Sequence, residues 1–299
     1  MTKQDKAPGG GDGDDGRGTG VVGRFLRAYP DFLLRAGSAI ALLPVALFAL
    51  WAGGLWFLLL ALVAAGLCFW EWSAIIGVSR RSLASLFGYG LLVVVAALLY
   101  FGRAQEALGL VAAGTIVVGM SAGINRVGRW FGEGFVYAAL ALVSIYTLRM
   151  SDHGLGLVFY LMVVVWVTDV GAYIVGRSLG GPKLWPAISP GKTWSGALGG
   201  LLLGSLGGLV AAWLVLPDAG IGAFLLGALL SALSQGGDLF ESALKRRFGV
   251  KDSSHLIPGH GGMLDRIDGL VAASVAAYVL AVLLGGALGA PGAALLQLF

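Results

Sequence analysis

The chain has 299 residues, 12% of them charged and 58% apolar, against about 25% charged in an average soluble domain. A soluble body of this length needs a charged shell that this composition cannot supply, so the chain is expected to be an all-α polytopic membrane protein. The net charge of +4 is modest, and no nucleic-acid partner is expected. The single cysteine, Cys68, excludes an internal disulfide framework and any multi-cysteine metal site.

In chain order, residues 1–30 are rich in Gly and Asp with no apolar stretch and read as a disordered cytoplasmic tail without a cleavable signal. A spanning helix needs about 20 largely apolar residues. Nine segments qualify, at about 37–53, 55–76, 84–101, 107–122, 133–148, 155–176, 194–216, 221–241 and 267–289. The first two are parted by the Gly53–Gly54 turn, and the fourth and fifth are short. About five spans fall in an N-terminal region, 31–150, and about four in a C-terminal catalytic region, 151–299. Eighteen of the 20 Lys and Arg residues lie in the tail and the even-numbered loops, with Arg103 and Arg149 alone on the other side. The positive-inside rule therefore puts the N-terminus in the cytoplasm, and nine spans put the C-terminus outside. The 50 glycines suit close helix packing and allow a homodimer.

In span two, Glu71 sits between Trp70 and Trp72, where an acid needs a partner or water; a structural partner on a neighbouring helix is favoured over catalysis. Two loops, 177–193 and 242–266, carry unusual chemistry together with the span ends beside them. Asp169 lies inside span six and Asp238 near the end of span eight, with Glu241 one turn on. Asp265 and Asp268 are three apart and share one face as span nine begins. Several carboxylates entering one membrane interface suit a hard cation, which takes oxygen ligands. Lys183, Lys192, Lys245, Arg246, Lys251 and Arg266 lie among them, a mixture suited to polyphosphate binding. Gly261 and Gly262 let backbone N–H groups approach a phosphate. Gly191-Lys192-Thr193 resembles the end of a Walker A loop, but Pro186 stands where that motif needs its first glycine, so a P-loop ATPase is excluded.

The run Ser242-x-Leu244-Lys245-Arg246, then Lys251-Asp252-x-Ser254, then Ile257-Pro258-x-His260-Gly261-Gly262-Met263-x-Asp265-Arg266-Ile267-Asp268 resembles the signature of the phosphatidate cytidylyltransferases over 27 residues. Asp169-x-Gly171-Ala172-Tyr173 and Ser189-Pro190-x-Lys192-Thr193-x-x-Gly196 resemble the family's other motifs, with Gly191 where the family usually has a lysine. The resemblance implies transfer of CMP from CTP to phosphatidate at the cytoplasmic face of a bacterial-type inner membrane. It implies Mg2+, with a second cation, including a monovalent one, left open. Asp238, Asp265 and Asp268 are the implied metal ligands, and Lys245 and Arg266 join them as catalytic residues. Asp169, Ser189, Lys192, Thr193, Arg246, Lys251, His260, Gly261 and Gly262 are the implied contacts to CTP and phosphatidate. His260 is read either as a donor to a phosphate or as a loop-ordering residue. A CTP-dependent polyprenol kinase and an ion-coupled secondary transporter are the alternatives. The first differs in the group it transfers, and the second requires an internal repeat of spans that is not evident.

Overall fold

The computed structural model describes residues 43–254, 256 and 261–299. The tail, the first part of span one and His260 lie outside the described residues. Ten helices follow in order: α1 (Leu43–Ala52), α2 (Gly54–Ile75), α3 (Leu83–Tyr100), α4 (Ala104–Ser121), α5 (Arg126–Met150), α6 (Gly154–Leu179), α7 (Trp194–Val215), α8 (Ile221–Arg247), α9 (Leu264–Leu283) and α10 (Gly292–Leu296). Eight of them, α2 to α9, are long and apolar enough to cross a membrane, and α1 is a shorter apolar helix within the segment expected as the first of nine spans. A hairpin of β1 (Lys183–Trp185) and β2 (Ser189–Thr193) joins α6 to α7, with Lys183 opposite Thr193 and Trp185 opposite Ser189.

The outer faces of these helices expose Leu, Val, Ile and Trp, as on Leu202, Leu206, Val210 and Trp213 of α7. Helices that are apolar on every side belong in lipid. α5 is the central post: 72% of its spanning window is buried, against 33–39% for the other seven. Its Phe131 and Phe135 stack around Phe69 of α2 at ring separations of 5.0 and 6.1 Å. α6 and α7 approach closely because Gly196, Gly200 and Gly204 of α7 face Ala172 and Thr168 of α6. A Cβ on Gly200 would stand 2.8 Å from the Thr168 carbonyl oxygen. Small residues at a four-residue spacing allow such backbone contact in lipid.

Helix ends differ from the hydropathy boundaries in ways that local chemistry explains. α5 starts seven residues before the expected Glu133, because Asn125 caps it by accepting from Gly128 N at 3.0 Å and Arg129 pairs with Glu133 at 3.3 Å. α8 runs on through Lys245, Arg246 and Arg247, which were expected in a loop; cations in a last turn complement the helix dipole. Gly249 then takes φ +72°, the left-handed conformation that ends a helix. α9 begins at Leu264 and ends at Leu283, before Gly285 at φ +92°.

At the end of the bundle away from the hairpin, Arg149 donates to the carbonyls of Leu50 (2.8 Å) and Trp51 (3.0 Å) at the close of α1. α10 tucks against the same end, where Gly292 N donates to Ser151 Oγ at 2.8 Å. The opposite end gathers the close of α2, the hairpin, the close of α8 and the start of α9.

Candidate functional site

Asp238, Glu241 and Lys245 follow one another at i, i+3 and i+7 on a single face of α8, and Asp265 and Asp268 lie at i and i+3 on α9. The two helices run antiparallel and come close at Gly237, where a Cβ would meet Ala272 Cβ at 2.6 Å and the Asp268 carbonyl at 2.8 Å. The charged faces therefore meet as two rungs, one near the helix ends and one about a turn deeper.

The outer rung is dry. Lys245 Nζ lies 2.7 Å from Glu241 Oε2 and 2.6 Å from Asp265 Oδ1, with the lysine side chain 12% exposed and the acids 3% and 13%. Asp265 Oδ2 accepts from Gly262 N (3.0 Å) and Ser253 N (3.2 Å) and lies 2.9 Å from Ser253 Oγ. That hydroxyl is also 2.9 Å from Glu71 Oε2, and its one hydrogen serves one acid at a time. Gly261 has φ +83°, a glycine conformation, and Gly262 has no room for a Cβ, which would fall 2.6 Å from Glu71 Oε2.

The deeper rung is open. Lys192, carried by β2, reaches Asp238 Oδ2 at 2.5 Å, with side chains 28% and 36% exposed. Asp268 accepts from Gly269 N at 2.8 Å and lies within electrostatic reach of Asp238, Asp169 and Lys192. Asp169 of α6 feels the charges of Asp238 and Lys192 in the same way. Three carboxylates from three helices thus lie within electrostatic reach of Lys192, which pairs with Asp238. Half-exposed ion pairs contribute little to stability and exchange readily for another charged partner; the dry rung has no such freedom.

Among the described residues no three His, Cys, Asp or Glu side chains converge tightly enough to hold a metal ion by themselves. Magnesium commonly binds through one or two carboxylates plus substrate phosphates, keeping waters besides. An oxygen-only donor set with surplus negative charge, as on Asp238 and Asp268, fits that mode. Asp265 Oδ2 is occupied by the loop, while Oδ1, shared with Lys245, retains a lone pair.

The other expected residues form the rim. Thr193 caps α7 by accepting from Gly196 N at 3.1 Å, and Ser189 opens β2. Arg246 donates to the Ile188 carbonyl at 3.4 Å, tying α8 to the hairpin. Lys251 and Arg266 are exposed. Glu241, Ser253 and Glu71 were not among the expected site residues. Glu241 was marked by its spacing from Asp238, and Glu71 by its charge in an apolar helix. A cavity of about 510 Å³ between α4 and α5, lined by Gly119, Gly123, Gly128 and Ile116, is separate from these acids.

The fold and the site define a multi-helix membrane protein with a cluster of acids and lysines at one end of the bundle. A profile of the Cytidylyltransferase family matches residues 33–284, and the chain belongs to that family. It is 42% identical to the phosphatidate cytidylyltransferase of Brucella suis biovar 1 (strain 1330) over 244 residues, 81% of this chain and 90% of that protein. The phosphatidate cytidylyltransferases of Bacillus subtilis (strain 168) and Staphylococcus haemolyticus (strain JCSC1435) are 51% and 47% identical over 124 and 133 residues, 40% and 44% of this chain and 45% and 50% of theirs.

Proposed function

We propose that the protein transfers CMP from CTP to phosphatidate, releasing pyrophosphate and forming CDP-diacylglycerol, with the site at the cytoplasmic face of the membrane. The observation that carries this reading is the open rung: Lys192 and three aspartates from separate membrane helices at one end of the bundle. A soluble nucleotide and a lipid headgroup meet at such an end. Among the described residues, 12 of the 14 Lys and Arg side chains lie at that end, which supports a cytoplasmic orientation.

A phosphate oxygen of phosphatidate attacks the α-phosphorus of CTP, the bond from that phosphorus to the bridging oxygen breaks, and pyrophosphate leaves. The lipid phosphate is already ionised at neutral pH, so no strong general base is required. Both reactants are anions, and catalysis rests on holding them in line and offsetting their charge. Lys192 exchanges Asp238 for a substrate phosphate, while Arg246, Lys251 and Arg266 draw the anions to the rim. Asp238 and Asp268, with Asp265 in the adjoining rung, would hold Mg2+ together with the substrate phosphates; when bound it would neutralise the triphosphate and polarise the reacting phosphorus. Lys245 keeps Asp265 and Glu241 in place.

The test is a mixed-micelle assay of purified protein with phosphatidate and CTP labelled either in cytidine or at the γ-phosphate. Cytidine label in the lipid and pyrophosphate in solution are expected, with loss of both on chelation of divalent cations. Transfer of the γ-label to lipid, or no labelling, would overturn the reading.

A further inference from the structure

We propose that Glu71, on the second helix, is a positioning residue that seats the start of α9 and thereby sets Asp265 and Asp268 for cation and nucleotide; this rests on the proposed reaction. Glu71 is fully buried. Its Oε1 accepts from Ser254 Oγ (2.6 Å) and Met263 N (2.8 Å), and its Oε2 from Leu264 N (2.7 Å) and, when Ser253 Oγ turns that way, from that hydroxyl (2.9 Å). Met263 and Leu264 open α9, whose own N-cap residue supplies no side-chain hydrogen bond. The first N–H groups of a helix have no partner within it and together form a positive pole. In most helices a local Ser, Thr or Asp meets that need. Here a carboxylate on another helix does so, from 193 positions away.

The arrangement is specific to a carboxylate. Each oxygen takes one backbone N–H, and a backbone N–H cannot reverse to accept. A glutamine would present its NH2 to one of them, placing donor against donor. Glu71 is itself rigidly held, because neighbouring Trp72 donates to the Trp130 carbonyl at 2.8 Å and its ring fills the space left by Gly134. Ser253, between Glu71 and Asp265, links the clamp to the acid one residue beyond Leu264. The N-terminal half of the chain therefore reaches into a site whose recognisable motifs all lie after residue 165.

The test uses the full-length protein in detergent, comparing wild type with Glu71→Gln and Glu71→Asp. Three readouts are taken: hydrogen exchange of the peptide bearing Met263 and Leu264, Mn2+ binding followed by electron paramagnetic resonance, and cytidylyl transfer. Glu71→Gln should speed exchange of that peptide about tenfold or more and weaken Mn2+ binding and turnover by about 10–100-fold. Glu71→Asp, which keeps the charge on a shorter arm, should fall between. Wild-type exchange in Glu71→Gln overturns the clamp. Faster exchange with unaltered Mn2+ affinity makes Glu71 a purely structural cap and also overturns the proposal. Should Glu71→Gln fail to fold, Glu71→Asp decides: weakened Mn2+ binding upholds the proposal and wild-type binding overturns it. A wild type that binds Mn2+ but makes no CDP-diacylglycerol strikes the reaction, not the clamp, because the first two readouts do not depend on turnover.

Discussion

Lys245 holds together two acids that would otherwise repel in a dry setting, at 2.7 and 2.6 Å. Removing one partner of a buried ionic cluster leaves charge uncompensated, so Lys245→Met should destabilise the folded protein by about 3–5 kcal/mol, measured by chemical denaturation in detergent. Asp238 contrasts with it. Its pair with Lys192 is half exposed, so Asp238→Asn should barely move the melting temperature yet lower turnover about 10²–10³-fold, on the scale of removing one charge-stabilising group from an active site. The assay is cytidine incorporation into lipid. At this scale many charged residues of the candidate site were legible in the sequence. Asp169, Asp238, Asp268 and Lys192 stand out because charge inside or beside an apolar span demands a reason. What the sequence concealed was the division into an open and a dry rung, since exposure depends on how α8 and α9 face each other. Glu71 was marked as an acid in need of a partner, but its donors lie 182 to 193 positions away.

Among the elements, the spans were legible from hydropathy and their ends were not, because helices continue into polar sequence when a cap or a pole-matching charge is at hand. Asn125 and the Lys245–Arg247 run are the cases in point. The hairpin was hidden by Pro182, Pro186 and Pro190, which read as loop; it forms because Trp194 N closes on the Pro182 carbonyl at 3.0 Å and Lys183 pairs with Thr193. Thr193 ends the hairpin and caps α7, so Thr193→Ala should cost about 1 kcal/mol, read as a lowered denaturation midpoint. The α6–α7 contact is less forgiving. Gly200→Leu puts a Cβ 2.8 Å from a backbone oxygen that has no flexible way to move, and should abolish accumulation of folded protein, scored by size-exclusion profile in detergent.

For the whole molecule, the charge partition makes a topological prediction. Cys68 is the single cysteine, so a Cys68→Ser background offers no competing thiol. In that background, Asp218→Cys should react with a membrane-impermeant maleimide added to intact cells, and Ser79→Cys should react only after the cells are opened; the reverse pattern would invert the protein. The two cations of the far face are already engaged. Arg149 caps the carbonyls of Leu50 and Trp51, and Arg103 lies 2.9 Å from Glu106, while Asp152 and Asp218 remain exposed there. An inside-negative membrane potential is worth about 2.3 kcal/mol per charge per 100 mV. In the proposed orientation, that voltage would draw the basic end inward and repel the acids of the other end outward during insertion. Both forces would then act in the same sense, leaving the finished molecule polarised along the field that orients it.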